Sequence, residues 1–389
     1  MNRKIKVLYL VHNSDCDGAG LCMLNILDSI QVWGVKPHVV IPEKGFLSDE
    51  LKKRRIAFTI IPHRYYVYPP ATCLSEYLLY IPQLLYSFFK NRIAIFRICE
   101  LIKKIHPDIF HSNTGVSRVG YYAARKAGIP HVWHLREYQD LDFGLKPYPS
   151  KEKFIELLKA SSNTVIAITK GIAKHFLVEN SSYVVYDGVR SRSDLTIKAD
   201  VGRQATFLFV GRLSHNKGVT DLLQVWKKFK EEDKRYKLKI AGTTTDKQYL
   251  RWMQEYIAQN DLTSSVELLG PRNDIDCLMQ NAAALVVPSY FEGFGRITAE
   301  AMLNYCPVIG RATAGTAEIL AEKQLGFLFQ DQSSLLNILK EFSQGKYHTL
   351  LPKMLKDARS EAEKKYLQEE NASEIYKIYL KILSNGDIE

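Results

Sequence analysis

Two runs of alternating strand and helix signals, separated by a polar stretch, constrain this chain more than any other feature. Short apolar segments at 7–11, 38–41, 109–111, 131–134 and 164–168 have the length and branching of buried strands. Helical patterns at 21–33, 46–54 and 118–127 stand between them. From 187 to 203 the chain turns rich in Ser, Asp and Arg and poor in apolar residues. The alternation then restarts at 207–210, 237–241, 266–269, 284–287 and 308–310. Strands that are apolar throughout need cover on both faces, and strand–helix–strand order gives parallel sheets. The chain is therefore predicted to form two doubly wound α/β domains, over residues 1–190 and 200–355. A length of 389 residues agrees with this, because a single core rarely grows past about 250–300 residues. The last segment, 355–383, reads as one long amphipathic helix with Tyr366, Ile375, Tyr376, Ile378, Tyr379 and Ile382 recurring at helical intervals.

Two strand-to-helix handovers in the second half carry the chemistry. The apolar run 205–210 ends in Gly211 and Arg212, and Lys217 and Gly218 precede a helix whose apolar side is Leu222, Leu223, Val225, Trp226 and Phe229. Ligands of open α/β sheets collect at such strand ends, and two cations placed there can clamp a diphosphate. Further along, the run 284–287 is broken by Pro288 and Ser289 and followed by Glu292, Gly293, Phe294, Gly295, Arg296 and Ile297, with Glu300 in the helix that begins there. Glycines permit a turn and close backbone approach, and the amides at a helix start attract anions. Carboxylates beside an anion suit a ligand that carries hydroxyls as well as phosphate. Read alone, each cluster is equally explained as solvated loop charge.

Taken together, Phe209-Val-Gly-Arg-Leu213, Lys217-Gly218, Pro288-Ser289, Glu292-Gly-Phe-Gly295 and Glu300-Ala-Met302 resemble the nucleotide-sugar-dependent family 4 glycosyltransferases. Weaker matches run through the rest of the chain, at Asp17-Gly-Ala-Gly20, at Pro107 to Asn113, at Gly128-Ile-Pro130, at Tyr186-Asp-Gly-Val189 and at Gly315-Thr-Ala-Glu318. The resemblance implies the GT-B fold, two Rossmann-like domains facing a central cleft, with a C-terminal helix of about 360–389 packing back on the first. It implies a retaining enzyme that uses a nucleoside diphosphate sugar, UDP- or GDP-linked, without a tightly bound cofactor or a metal. The donor site it implies comprises Gly18, Gly211, Arg212, Lys217, Pro271, Arg272, Glu292, Gly293, Phe294, Gly295, Arg296, Ile297 and Glu300. Within that set Arg212 and Lys217 face the leaving diphosphate, Glu292 the donor sugar and Glu300 the ribose. His134 lies by the reacting sugar, and Ser112, Asn113, Arg136 and Glu137 are weaker acceptor-side candidates. The chain departs from the family pattern at Asp17-Gly-Ala-Gly20, at Tyr305 and at Asp187, where Asn is usual.

Other chemistries find less support. The pairs Asp15/Asp17, Asp140/Asp142 and Asp274/Asp276 have metal-ligand spacing, but the first sits in a turn and Asp274 or Asp276 fits a helix N-cap. Six cysteines (Cys16, Cys22, Cys73, Cys99, Cys277 and Cys306) show neither paired CxxC spacing nor a disulfide framework. A net charge of +11 attracts anions without naming them, and no nucleic-acid signature accompanies it. The N-terminus enters a strand too soon for a secretory signal, so a cytoplasmic protein is expected. The uncharged stretch 77–89 is short for a bilayer span, yet Lys90, Arg92, Arg97, Lys103 and Lys104 follow it. A peripheral seat on an anionic inner membrane face and an ordinary internal helix both fit that region. Two rival functions remain open: a nucleotide-sugar epimerase of the same architecture, and a binding protein with an idle site. The expected acceptor is a saccharide or a lipid-linked saccharide of surface polysaccharide synthesis.

Overall fold

The computed structural model describes residues 4–15, 17–70, 74–195 and 202–386. Cys16, Cys73 and residues 196–201 of the expected linker lie outside the described residues. The chain divides into two units, Met1–Gly188 with Gln368–Glu389, and Val189–Leu367.

In the first unit β1 (Ile5–Leu10), β2 (Val35–Ile41), β3 (Ala57–Ile60), β5 (Ile109–Ser112), β6 (His131–Leu135), β8 (Asn163–Ala167) and β9 (Ser182–Val184) form one parallel sheet. Its order is β3-β2-β1-β5-β6-β8-β9, and the short strands β4 (Val67–Tyr68) and β7 (Lys146–Pro147) pair antiparallel beside it. The central strands are apolar throughout because helices cover both faces. On one face Met23, Leu27 and Ile30 of helix Gly18–Ile30 meet Ile375, Ile378 and Tyr379 of helix Gln368–Gly386. On the other, Ala94, Ile98 and Ile102 of helix Leu74–Ile105 pack with Val119 and Ala123 of helix Val119–Ala127. Helix Gly18–Ile30 starts where the Asp17 carboxylate accepts the Gly20 N–H at 2.6 Å, a side-chain N-cap worth about 1 kcal/mol.

In the second unit β10 (Thr206–Val210), β11 (Lys237–Ala241), β12 (Val266–Gly270), β13 (Ala284–Val287), β14 (Val308–Arg311) and β15 (Phe327–Phe329) form a parallel sheet ordered β12-β11-β10-β13-β14-β15. The five apolar residues predicted on helix Val219–Glu232 are all fully buried, and the Trp226 indole N–H reaches the Ser265 hydroxyl at 3.2 Å. The chain is thus α/β with two Rossmann-like doubly wound units.

Two departures from the sequence reading have a local cause. β3, β9 and β15 are edge strands of only three or four residues with partly exposed side chains, too short to stand out as runs. The single helix expected over 355–383 is two helices, Leu351–Lys365 and Gln368–Gly386. They break where Tyr366 and Leu367 are buried and the Tyr366 carbonyl accepts the Val189 N–H at 2.8 Å instead of continuing the helical ladder.

Candidate functional site

Each sheet reverses its strand order once, between β1 and β5 in the first unit and between β10 and β13 in the second. Loops leaving the carboxyl ends of such neighbouring strands diverge and open a crevice. Lys217 and Glu292 follow the two strands of the second reversal, and Asn113 follows β5 at the first.

In the second unit the loop after β10 and the loop after β13 are joined by the Tyr290 N–H, which donates to the Asn216 carbonyl at 3.0 Å. Gly218 lets them approach: its φ is +69°, and a Cβ there would sit 2.1 Å from the Pro288 carbonyl oxygen. The result is a contact between the two motifs, with the Lys217 ammonium 2.7 Å from the Glu292 Oε1. Gly295, at φ +95°, turns the chain into helix Arg296–Leu303, and the Gly315 N–H holds the loop by donating to the Glu292 carbonyl at 3.0 Å. At the helix start the Arg296 guanidinium lies 3.5 Å from the Glu300 carboxylate. Burial raises the Glu300 pKa, and Arg296 and Arg190 pull in the opposite direction. Arg212 is exposed beside Gly211, and Phe294 is buried against the Tyr366 ring at 5.4 Å.

Other donor-set residues are dispersed. Pro271 and Arg272 are exposed, and the Arg272 guanidinium forks the Asp274 carboxylate at 2.6 and 2.8 Å. Asp274 stands at the N-cap of helix Ile275–Asn281 but makes no capping bond, because Arg272 holds its side chain. Gly18 opens helix Gly18–Ile30 in the first unit, where an added Cβ would meet nothing within 4 Å.

The sequence reading missed Asp221 and Arg311. The Asp221 carboxylate accepts from the Tyr290 hydroxyl at 2.9 Å and from Arg311 at 2.6 Å, and the guanidinium lies 4.4 Å from the Tyr290 ring centre. An acid in a helix's first turn carries no signal of such a partner ninety residues away.

In the first unit His134 sits on β6, fully buried, next to His111 of β5. Its Nδ1 lies 3.3 Å from Arg136 Nη2 and 3.1 Å from His111 Nε2. A guanidinium only donates, so the His134 Nδ1 accepts and the proton of the neutral ring is on Nε2. The His111 Nε2–H must then be the donor to His134, and the His111 Nδ1 accepts from the Tyr379 hydroxyl at 2.7 Å. Tyr379 in turn takes the Tyr9 hydroxyl proton at 3.0 Å. The chain of bonds runs in one direction and leaves the buried His134 Nε2–H without a partner among the described residues. Burial holds both imidazoles well below the usual histidine range, and the Arg136 cation adds to this.

Arg136 pairs with Asp187 in the interior, and its Nε donates to the Asn113 carbonyl at 3.0 Å. The other Asp187 oxygen accepts from the Cys22 thiol at 3.2 Å. The Asp at 187, unusual for the resembled family, is thereby matched by a buried cation. Glu137 is buried with its Oε1 on the Gly115 N–H at 3.0 Å, and burial pushes its pKa up to about 7. Ser112 lies apart from this group. Alternate residues of a strand face opposite sides, so Ser112 turns away from His134 and bonds His131 Nε2 at 2.9 Å.

Apart from the exposed Asp15, the Asp-x-Asp carboxylates have protein partners. Asp17 bonds Gly20 and Asn13, Asp140 lies 2.8 Å from His175, Asp142 accepts the Tyr138 N–H, and Asp276 pairs with Arg190 at 2.9 Å. Among the described residues no group of three or more His, Cys, Asp or Glu side chains is placed to hold a metal ion.

Residues 194–364 match the family described as glycosyl transferases group 1. The match spans nearly all of the second unit. The chain is 29% identical over 240 residues to an uncharacterized glycosyltransferase of Methanocaldococcus jannaschii, covering 60% of this chain and 64% of that protein. It is 25% identical over 196 residues to the lipopolysaccharide 1,6-galactosyltransferase of Escherichia coli, covering 47% and 53%. The chain thus spans less than two thirds of the length of these curated relatives. Among solved structures, Anabaena HepE in complex with UDP superposes with a TM-score of 0.77 at 19% identity, covering 97% of this chain and all of that one. A Rickettsia africae glycosyltransferase superposes at 0.78 with 18% identity, covering 98% and 100%. At these identities the likeness gives the fold, which is GT-B.

Proposed function

We propose that this chain is a retaining glycosyltransferase that moves a sugar from a nucleoside diphosphate sugar to a hydroxyl of a saccharide or lipid-linked saccharide, in surface polysaccharide synthesis. The observation that carries the reading is the Lys217–Glu292 contact, made by the two motif loops at the strand-order reversal of the group 1 domain. One of the three ammonium protons of Lys217 goes to Glu292, which leaves two for phosphate oxygens. The free Glu292 oxygen accepts from sugar hydroxyls. Arg212 and the amides at the start of helix Arg296–Leu303 stabilise the charge that grows on the departing diphosphate, each charge-assisted bond contributing roughly 1.5–3 kcal/mol. Glu300 holds the ribose. In the first unit, the neutral His134 offers its Nε2–H to the transferring sugar, and Asn113, Arg136 and Glu137 line the acceptor side. The leaving phosphate receives the acceptor proton, so neither a general-base carboxylate nor a metal is needed. HepE, a structural relative, binds UDP and UDP-glucose, which favours a UDP-sugar over a GDP-sugar as the first donor to test.

Lys217→Ala should lower transfer at saturating donor by about 10² to 10³, the usual loss for one preorganised donor at developing charge, and Glu292→Ala should lower it by removing the acceptor for the sugar hydroxyls. Near-normal turnover in both would remove this site from the reaction. Mass spectrometry of the product should find one added sugar on the acceptor; an epimerised donor with no acceptor product would favour the epimerase. Full loss of activity in EDTA, restored by Mn²⁺, would overturn the metal-free reading. A thermal-shift screen of UDP-, GDP- and ADP-sugars identifies the nucleotide, because a ligand of the native state raises its stability.

A further inference from the structure

Helix Leu74–Ile105 presents two unlike faces. Ser87, Asn91, Ala94, Ile98 and Ile102, spaced three and four apart, are buried against the sheet of the first unit. At 100° per residue the opposite side carries Ile81, Leu85, Phe88, Phe89, Ile93 and Phe96, each more than half exposed. Six large apolar side chains on one exposed stripe exceed the scattered surface apolar residues of ordinary proteins. From residue 81 to residue 96 the stripe runs about 22 Å at 1.5 Å per residue.

Charge accompanies it. Residues 80–105 hold five cations, Lys90, Arg92, Arg97, Lys103 and Lys104, against one carboxylate, Glu100, which Lys103 pairs at 2.9 Å. The cations lie among the rings: Arg92 is 5.6 Å from the Phe88 ring centre and Lys90 5.5 Å from that of Tyr86. Long basic side chains with apolar stems and charged ends suit a boundary between hydrocarbon and phosphate. Among the described residues no helix is long and apolar enough to cross a membrane, so such a face lies along the surface.

We propose that this face seats the first unit on an anionic phospholipid bilayer, with the phenylalanines at the acyl boundary and the five cations among the headgroups. The inference does not depend on sugar transfer. It would bring any lipid-linked acceptor to the side of the molecule on which the helix lies.

The test is co-sedimentation with vesicles of phosphatidylcholine, with and without about a third phosphatidylglycerol. Wild-type protein should pellet with the mixed vesicles, at least tenfold less with the neutral ones, and release in high salt. Phe88→Ser/Phe89→Ser/Phe96→Ser should lose binding to both. Arg92→Gln/Arg97→Gln/Lys104→Gln should bind the mixed vesicles about a hundredfold more weakly, from roughly fivefold per cation. Circular dichroism and donor-induced thermal shift, unchanged in both variants, establish that they fold and that the donor reading is tested separately. Wild-type protein left in the supernatant, or variants that pellet like wild type, would overturn the proposal. So would a lipid-free dimer that the serine variant converts to monomer, since a second copy would then cover the face.

Discussion

Lys217 and Glu292 keep 30% and 17% of their side chains in solvent, whereas Arg136 and Asp187 keep 3% and 4%. The first pair joins loops at a strand-order reversal and the second joins the segments after β6 and β9 of the other sheet, and they work differently. The exposed pair is screened by water and contributes about 0–1 kcal/mol to stability, so a phosphate can share it at little cost. The buried pair is held by the fold, and its value lies in fixing the groups around His134. A site meant to grip a charged ligand gains from the first arrangement. One that must hold a neutral imidazole in a single tautomer gains from the second.

The sharpest break of this comparison is Asp187→Ala. It leaves the Arg136 charge buried and unpaired, and should cost about 3–5 kcal/mol in urea unfolding, against under about 1 kcal/mol for Glu292→Ala. Equal losses would mean that burial does not separate the two pairs.

A pH titration comes next. Burial depresses the pKa of His111, His131 and His134, so these groups stabilise the fold above pH 6.5. That stability is lost as pH falls below 6.5, by about 1.4 kcal/mol per unit for each histidine that protonates only on unfolding. Glu137 has the opposite sign. Its folded pKa of about 7 lies above the ordinary 4.5, so its contribution is complete below pH 4.5 and is lost as pH rises through 7. Glu137→Gln should therefore gain roughly 3 kcal/mol over wild type at pH 8 and nothing at pH 4, as read from thermal melts.

Tyr379→Phe leaves the buried His111 Nδ1 without its donor, at about 1–3 kcal/mol. Nitrogen chemical shifts of the imidazoles should report unchanged tautomers, because Arg136 still donates to the His134 Nδ1, which still requires the His111 Nε2–H, so the loss shows in stability alone. The smallest expected effect is Arg272→Ala. Its fork to Asp274 is exposed and screened by solvent, so the urea midpoint should stay where it is.

Much of the frame was legible. The central strands β1, β5, β6, β10, β13 and β14 stand where apolar runs mark them, because a strand covered on both faces must be apolar throughout. The loops after β10 and β13 were legible too, as glycines with charges between a strand and a helix. The short edge strands β3, β9 and β15 were not, whereas the five-residue edge strand β12 was. Nor was the meeting of Lys217 with Glu292, which the motifs suggest as two separate roles and the structure joins through Gly218 and Tyr290. The partners of His134 were further still from view: His111 is 23 residues away, and Tyr379 lies 268 residues from His111.

Chain-local chemistry therefore determined the two doubly wound units and the loops on which the donor motifs stand, because strand and helix periods, caps and glycine turns act over a few residues. The tertiary structure alone decided the direction of the Tyr9–Tyr379–His111–His134 chain, the match of Asp187 to Arg136, the turning away of Ser112, and the apolar stripe left outside on helix Leu74–Ile105. These follow from which distant groups share one dry interior and which are kept out of it. Desolvation and pairing across hundreds of residues leave no period in the sequence.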